Sequence, residues 1–362
     1  YEMCGRDWSS DVCSSDLKRI IMKNITKVGL SALAGSLVMV SANAVEYSIS
    51  GGLQAVYSTQ DSPAGAEADS GKGITTQTDL SFNASGELDN GFTVSSFMFL
   101  DTGGNVSNTS AQMTFGMGSL GTVQINNRYG SKANAIDDVT PHAYNETWDG
   151  LAPTAMNHSS FGSRTMHGSL DYRIPTQELM GVTVNASVTY DPSADASTEV
   201  KGGVSTTSVS GTAYTLQLAH ESGLEIGGGI ESIDDDAGLV AGRGMEATTG
   251  YIKYSAGGLT AAYQETYTNN RVDASTPGAD VEESMYGVAF TSGDVTVSYA
   301  EGSKQTKGVS DTAVGVEKES ESLQVAYTMG AMTIAAAMSE STGESAATDK
   351  YEENTLSFNF AF

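Results

Sequence analysis

The sequence predicts an all-β fold, a 16-stranded antiparallel transmembrane β-barrel with short periplasmic turns and long extracellular loops. Three observations support this prediction. Apolar residues alternate with polar residues along many short segments, glycine-containing turns alternate with long polar segments, and 41 glycines accompany only 6 prolines in 362 residues. Alternation with a period of two indicates strands with one apolar and one polar face. Many strands joined by glycine turns would give this glycine and proline balance.

Residues 1–21 form a leader that we interpret as an artefact of gene calling or, alternatively, as a disordered extension. Residues 11–17 read DVCSSDL, which resembles the translation of a common sequencing adapter. Both cysteines of the chain, Cys4 and Cys13, lie in this leader. The rest of the chain therefore offers no disulfide framework, zinc-thiolate site or thiol nucleophile.

Residues 22–44 have the order of a secretory signal peptide. A basic start, an apolar stretch and a small-residue cleavage motif follow one another, at Lys23 and Lys27, at residues 28–40, and at Ala42-Asn43-Ala44. The apolar stretch is too short for a transmembrane helix, which needs ~20 residues to cross the hydrocarbon core. Cleavage after Ala44 would leave a single barrel domain at residues 45–362.

The expected strands show the alternation most clearly in four segments. Their second face carries mostly Thr, Ser, Asn, Gln and Ala, which is too polar for the core of a soluble β-sandwich. The segments are 182–190, 295–299, 323–327 and 356–362. No apolar run after residue 44 is long enough for a spanning helix. If this chain sits in a membrane, it must therefore do so as a closed barrel.

The connections between these strands alternate between short and long. The short turns carry the Gly, Asn and Asp residues that tight hairpins need for positive φ, at Asp89-Asn90-Gly91, Gly118-Ser119, 176–180, Ser222-Gly223, Gly257-Gly258, 292–294 and Gly330-Ala331. The long polar segments lie near 59–72, 102–109, 129–163, 191–210, 233–245, 270–281, 303–317 and 341–352. This rhythm divides the chain into 16 strands with both termini on the short-turn side, the arrangement of outer-membrane barrels.

Aromatic residues lie near the ends of the expected strands, as in the interfacial girdles of membrane barrels. The strand propensity of aromatic residues would also enrich them there. We favour the girdles because alternation places most of these residues on the apolar face. They are Tyr47, Tyr57, Phe92, Phe99, Tyr190, Tyr251, Tyr263, Tyr299, Tyr327, Phe360 and Phe362.

The charge of the chain excludes some partners and sites. Its 44 acidic and 18 basic residues give a net charge of −26, which would repel nucleic acid.

Asp234-Asp235-Asp236 lacks the spaced ligands and glycine of a calcium-binding EF-hand. The four histidines lack metal-ligand spacing, and no residue pattern indicates catalysis. We therefore expect no metal, no cofactor and no enzymatic activity. The histidines are His142, His158, His167 and His220.

Several segments resemble the Gram-negative general porins of the alphaproteobacterial type, and the resemblance covers residues 45–362. The clearest are the start of the barrel at 47–52, YSISGG, the hairpin at 85–92, SGELDNGF, and residues 117–123, MGSLGTV. The last strand has Phe358, Phe360 and Phe362 at alternate positions. In this family, such a terminal aromatic strand implies recognition by the barrel-assembly machinery.

The resemblance implies an outer-membrane homotrimer, surrounded by outer-membrane lipid, that forms a water-filled channel for passive diffusion of small hydrophilic solutes and ions. It also implies that the third extracellular loop folds into the pore. This loop is residues 129–163, the longest polar segment. Its carboxylates would oppose basic residues of the barrel wall at a constriction, formed by Asp137, Asp138, Glu146 and Asp149 with Arg128, Arg164 and Arg173.

Alternatives remain open for this constriction and for the function. Carboxylates favour cations and fixed arginines favour anions, so the acidic chain predicts a weak cation preference. The loop carboxylates could instead be simply solvated, and the arginines could form ordinary salt bridges in the lumen. A substrate-specific channel could pass sugars along Tyr144, Trp148 and Phe161. A non-channel surface barrel or adhesin would need a plugged lumen, against which the polar inner face argues.

Overall fold

In the computed structural model, the chain from Val45 onward forms one closed antiparallel sheet. The structure describes residues 45–62, 70–101, 107–147, 161–162, 165, 168–194, 209–234, 245–270, 280–307, 317–343 and 350–362. The leader predicted at 1–21 and the signal peptide predicted at 22–44 lie outside the described residues. Both therefore stay predictions.

Nearly all of the described chain is strand. The strands are β1 (Glu46–Asp61), β2 (Gly71–Glu87), β3 (Thr93–Asp101), β4 (Ser107–Gly116), β5 (Thr122–Arg128), β6 (Leu170–Arg173), β7 (Gln177–Leu179), β8 (Val182–Ala194), β9 (Val209–His220), β10 (Leu224–Ile233), β11 (Met245–Ala256), β12 (Leu259–Asn270), β13 (Asp280–Ser292), β14 (Val295–Lys307), β15 (Lys318–Met329), β16 (Met332–Thr342) and β17 (Lys350–Ala361). Single 3-10 turns lie at Gly118–Leu120 and Asn134–Ile136. In the described part of the chain, no helix is long and apolar enough to cross a membrane.

The segments β6 and β7 are two parts of one interrupted strand, because both pair with β8. The interruption contains Pro175, which lacks the N–H that a continuous ladder would use. Counting them as one, the described segments form 16 strands around the barrel, which confirms the predicted number. The turn predicted at 176–180 is placed too early, since the chain reverses at Met180 and Gly181, whose φ angles are 51° and 82°. Positive φ at both positions is typical of a tight hairpin.

The barrel closes where the last strand pairs with the first. β1 pairs with β2 on one side and with β17 on the other. At this junction the N–H of Gly51 donates to the carbonyl of Phe362 at 2.9 Å, and the N–H of Phe362 donates to the carbonyl of Gly51 at 3.0 Å. Closure pairs the two edges that an open sheet would expose to lipid.

The two faces of the sheet differ in polarity in the direction that a membrane requires. On β15, Leu323, Val325 and Tyr327 point outward and are 41–50% exposed, whereas Ser322 and Gln324 point inward and are buried. An apolar outer face and a polar inner face are the reverse of a soluble protein. The outer face therefore contacts lipid, and the inner face lines the lumen.

The aromatic girdle prediction is confirmed for Tyr263 and Tyr299 and wrong for Phe99 and Tyr251. Phe99 lies on the inner face of β3, two positions before Asp101 and opposite Ser81 of β2. Tyr263 and Tyr299 are exposed or half-buried on the outer face, near the level where it becomes polar. Tyr251 points inward and is 4% exposed, and its hydroxyl donates to Glu225 at 2.7 Å. The neighbouring Ile252 takes the outward position on this strand and is 47% exposed.

Substituting Gly51 by valine should hinder closure of the barrel. A Cβ at this position would lie 2.4 Å from the backbone oxygen of Asp79 and 3.0 Å from the ring of Phe362. Overpacking of this kind typically costs about 1–3 kcal/mol. We expect Gly51→Val to lower the temperature at which the unheated, fast-migrating form is lost in gel electrophoresis. Gly52→Ala is the control, because its Cβ has an ordinary contact of 3.6 Å, and an equal loss in both variants would contradict the account.

Candidate functional site

The longest connection of the barrel folds against the inner wall. It leaves β5 after Arg128 and reaches β6 at Leu170, so it ends later than the predicted boundary at 163. Arg128 has a φ of 65°, an uncommon conformation for a residue other than glycine, at the point where the chain leaves the strand. The described part of this connection, residues 129–147 with Phe161, Gly162 and Thr165, is called the inner loop below.

Side chains of the adjoining strands fix the beginning of the inner loop. The backbone oxygen of Tyr129 accepts a hydrogen bond from Gln112 at 3.1 Å. The backbone oxygen of Gly130 accepts from Gln124 at 2.8 Å and from the guanidinium of Arg173 at 2.9 Å. Because these donors lie on β4, β5 and β6, the loop is directed inward before its first turn is complete.

Gln264, on the inner face of β12, holds the next part of the loop. Its side-chain oxygen accepts from the N–H of Val139 at 2.9 Å, and its side-chain nitrogen donates to the backbone oxygens of Ile136 at 2.8 Å and Asp137 at 3.0 Å. An amide can serve both roles because it carries an acceptor and two donors. Gln264 is 0% exposed, so these bonds are made away from water.

Gln324, on the inner face of β15, holds the loop further along in the same way. Its oxygen accepts from the N–H of Tyr144 at 2.8 Å, and its nitrogen donates to the backbone oxygen of Asn145 at 2.6 Å. Between the two glutamines, the N–H of Ala143 donates to the hydroxyl of Ser298 on β14 at 2.8 Å. The loop therefore runs around the inner wall from β12 to β15.

A buried carboxylate holds the returning end of the inner loop. Glu231 on β10 is 0% exposed, and its two oxygens accept from the N–H groups of Gly162 and Thr165, both at 3.0 Å. The hydroxyl of Thr165 adds a bond of 2.8 Å. Phe161 is also 0% exposed and belongs to the same buried cluster as Ile136. Both ends of the described loop are thus fixed to the wall.

The predicted loop carboxylates lie on the inner loop where the structure describes them. Asp137 and Asp138 directly follow the single helical turn and are half-buried. One oxygen of Asp138 accepts from the N–H and the hydroxyl of Thr140, at 2.7 and 2.6 Å. Glu146 is half-buried near the Gln324 contact. Asp149 lies outside the described residues, so the structure brings three of the four predicted carboxylates onto the inner wall.

Two of the three predicted arginines, Arg128 and Arg173, lie beside the beginning of the loop. Arg173 contacts Asp171 through its Nε at 2.7 Å, and Asp171 is 0% exposed. The same carboxyl group accepts from the hydroxyl of Thr189 at 2.8 Å. Arg173 is thus an ion-pair partner that also holds Gly130. Arg128 is half-buried at the end of β5, and Arg164 lies outside the described residues.

Two carboxylates lie on the inner wall beyond the part of the wall that the loop contacts. The hydroxyl of Tyr144 accepts from Gln54 on β1 at 3.1 Å, and Gln54 is directly opposite Gln77 on β2. The side-chain nitrogen of Gln77 lies 3.3 Å from oxygens of both Asp79 and Asp101. Asp79 and Asp101 are paired in register on the inner face of β2 and β3.

The sequence prediction missed Gln264, Gln324, Glu231 and Asp79 as site residues. Each stands on the polar face of an alternating strand, where most neighbours are Ser, Thr, Ala or Gly. A long amide or acidic side chain at such a position indicates a residue that can bond a loop inside the barrel. These residues lie far in sequence from the long loop, whose own charges are the candidates that the sequence predicts.

The structure gives no geometry for a metal centre in the described parts of the chain. No group of three or more His, Cys, Asp and Glu side chains is arranged there to hold an ion. Asp234 accepts a hydrogen bond from the hydroxyl of Ser210. Its neighbours Asp235 and Asp236 lie outside the described residues.

Comparisons with known proteins agree with this architecture. The family model for Gram-negative porins matches residues 29–322. No curated protein matches the sequence significantly. Similar solved structures include a porin refined at 1.8 Å (TM-score 0.61, 14% identity), the anion-selective porin from Comamonas acidovorans (0.61, 14%) and the trimer form of OmpT from Vibrio cholerae (0.60, 8%). Each alignment covers 88% of this chain and 100% of the other. At these identities the structures show a shared fold.

Replacing Gln264 by leucine should loosen the inner loop near Val139. The change leaves one N–H and two carbonyls of the loop without their partner, at about 1–3 kcal/mol for each buried group that stays unpaired. We expect faster hydrogen exchange at the Val139 amide, measured by mass spectrometry on peptides of the folded barrel. Gln324→Leu is the reciprocal control and should instead accelerate exchange at Tyr144 and Asn145. Unchanged exchange in both variants would show that the glutamines do not hold the loop.

Proposed function

The chain belongs to the Gram-negative porin family, and we propose that it forms a water-filled channel for passive diffusion of small hydrophilic solutes and ions, with a weak preference for cations. As a transmembrane β-barrel of this family, it resides in the outer membrane. The observation that carries the proposal is the attachment of the inner loop to inward side chains of the closed barrel, at Glu231, Gln264, Ser298 and Gln324.

Passive diffusion follows from the polarity of the lumen and the position of the loop. A barrel of 16 strands leaves an aqueous channel when its inner face is polar. The inner loop occupies part of that cross-section, so it sets the largest solute that can pass. Because buried hydrogen bonds fix the loop at several points, we propose a constriction of constant size.

The cation preference is supported by the charges that line this region. Asp79 and Asp101 lie on the wall beyond Tyr144, and Asp137 and Asp138 lie on the loop itself. Arg173 on the wall is paired with a buried carboxylate. Carboxylates along a pore favour cations. We therefore propose a constriction in which acidic groups outweigh basic groups.

A path for sugars along aromatic side chains receives less support. Phe161 is 0% exposed in a cluster with Ile136 and Ala133, so its ring is not available to a solute. Tyr144 uses its hydroxyl to contact Gln54, and Trp148 lies outside the described residues.

A non-channel surface barrel would give no ionic current. Current that an added sugar does not block supports the diffusion channel over both alternatives.

Removing the charge of Asp79 should reduce cation selectivity. At about 8 Å in water, one unit charge attracts a cation by about 0.5 kcal/mol and repels an anion by the same amount. Screening at about 0.1 M salt roughly halves this sum, which leaves a factor of about two in the cation-to-anion permeability ratio. We expect Asp79→Asn to lower this ratio by about that factor, measured as the reversal potential in a potassium chloride gradient.

The matched control for Asp79→Asn removes one negative charge from the outer face. Glu319 is exposed and points outward on β15, so Glu319→Gln should leave the reversal potential unchanged. Equal shifts in the two variants would assign the selectivity to the overall charge of the protein. No shift with Asp79→Asn would contradict its place in the constriction.

We propose that the assembly is a homotrimer whose contact face is the outer surface of β2 to β5. The outward side chains of this surface include short or polar ones such as Thr76, Thr78, Ser96 and Ala111, beside the apolar Met113 and Ile125. The outward side chains of β9 to β11 include the bulky Tyr214, Leu216 and Ile252. Polar groups facing lipid are costly, so a second copy that covers this face would be favourable.

The aromatic C-terminal strand fits recognition by the barrel-assembly machinery. Phe358, Phe360 and Phe362 all point outward and are 44–55% exposed. Their side chains therefore form a continuous apolar row on the outer face of β17. We propose that this row is the assembly signal.

Placing a bulky side chain on the proposed contact face should dissociate the trimer. Ala111 points outward on β4, and Ala111→Trp would hold the neighbouring copy away from this face. Ala186 points outward on β8, so Ala186→Trp is a matched control with the same substitution on another part of the lipid-facing surface. We expect native mass spectrometry in detergent to show monomers for the first variant and trimers for the second. Trimers of both variants would refute the proposed face.

A further inference from the structure

A groove of about 710 Å³ lies on the outside of the barrel, away from the lumen. It extends across β11, β12, β13 and β14. Its lining includes Gly250, Tyr263, Tyr267, Glu282, Ser303 and Gln305. This volume falls within the range of small-ligand sites, which are concave and combine aromatic surface with a few polar groups.

The alternation of the strands shows that this groove opens outward. Tyr263 and Tyr267 are 42% and 39% exposed, whereas Gln264 between them is 0% exposed and points to the inner loop. Glu282 and Ser303 occupy the outward phase of their own strands. A ligand in the groove would therefore be reached from the membrane side and not through the channel.

The groove lies at the boundary between the apolar and polar parts of the outer face. On the periplasmic side of it, the outward residues are apolar, with Ile252, Val288 and Val297 each 41–47% exposed. On the side of the long loops, the outward residues are polar, as at Glu282 and Gln305. Tyrosines concentrate where hydrocarbon meets headgroups. The groove thus opens to the headgroup layer of the outer leaflet.

The chemistry of the lining fits a sugar ring. The hydroxyl of Tyr267 donates to Asp280 at 2.8 Å and that of Tyr263 donates to Glu265, so both rings are held in place. Aromatic faces can pack against the C–H face of a sugar, while carboxylate, hydroxyl and amide groups bond its hydroxyls. Glu265 and Glu317 of the lining would repel a phosphate headgroup, whereas the charge of Glu282 is balanced by Lys307 at 2.7 Å. The lining therefore favours an uncharged, hydroxyl-rich headgroup.

We propose that this groove binds the saccharide headgroup of an outer-leaflet glycolipid, whose acyl chains lie on the apolar surface beside Ile252 and Val288. The proposed site is separate from the channel and does not depend on its selectivity. It would hold one lipid at a defined position on the surface of each barrel.

Gly250 offers a direct way to fill the groove. A Cβ added there meets no atom within 4 Å, so a large side chain can extend into the groove without disturbing the strand. Gly250→Trp is therefore the main variant. Tyr263→Leu is a second variant that removes the aromatic face and keeps an apolar side chain. Thr212→Trp, outward on β9 and away from the groove, is the control.

The test uses native mass spectrometry of the purified barrel in detergent, with monoglucosyl diacylglycerol and phosphatidylglycerol of identical acyl chains as probes. We expect the unaltered protein to retain one glucolipid per chain in preference to phosphatidylglycerol. Gly250→Trp and Tyr263→Leu should each weaken glucolipid binding about tenfold, a difference that corresponds to the loss of one good contact. Thr212→Trp should bind like the unaltered protein.

Competition with free glucose distinguishes a sugar carried by a lipid from a soluble sugar. If the glycolipid is the ligand, glucose at the same concentration should displace little of it, because the acyl chains contribute to binding. Displacement by equimolar glucose would overturn the lipid proposal in favour of a soluble sugar. Equal retention of both lipids by the unaltered protein, or an equal loss in Thr212→Trp, would overturn the groove as a site.

Discussion

The constraint on which this structure depends is that lipid offers no hydrogen-bond partner to the backbone. Each N–H and C=O that faces the hydrocarbon core must be paired within the protein. The chain meets this requirement by closing its sheet, and the junction of Gly51 with Phe362 is where closure occurs. The glycine is required there because a Cβ would collide with the neighbouring strand and with the terminal ring. Outward apolar and inward polar faces follow from the same closure.

Closure creates an inner wall that is free of lipid and can carry long polar side chains. On this wall, Gln264, Gln324 and Glu231 form hydrogen bonds with the backbone of a loop that would otherwise lie in solvent. These side chains satisfy loop groups that become buried, so the loop is ordered without a regular helix or sheet of its own. The wall thus determines where the loop lies. We propose that the channel is narrow there and that Asp79 and the loop carboxylates are the charges that act on passing ions.

Much of the fold could be predicted from the sequence because turns and alternation are local signals. The number of strands follows from the rhythm of short turns. Pro175 interrupts one strand, between β6 and β7, and the turn predicted at 176–180 therefore lies later, at Met180 and Gly181. The inward position of Tyr251 could not be predicted, because Tyr251 and Ile252 are neighbours and both are plausible on an apolar face. The contacts of Gln264 with Ile136 and Val139 could not be predicted, since they join residues more than 120 positions apart and depend on the register of many strands.

The central claim is that the inner loop lies in the path of the current, and His142 provides the most direct test. This residue is exposed and lies between the segments held by Gln264 and Ser298. With His142→Cys, a negatively charged methanethiosulfonate reagent should produce stepwise decreases in single-channel current. The same reagent should have no effect on the unaltered protein or on Glu319→Cys, which faces outward. An unchanged current after complete modification of His142→Cys would contradict the account.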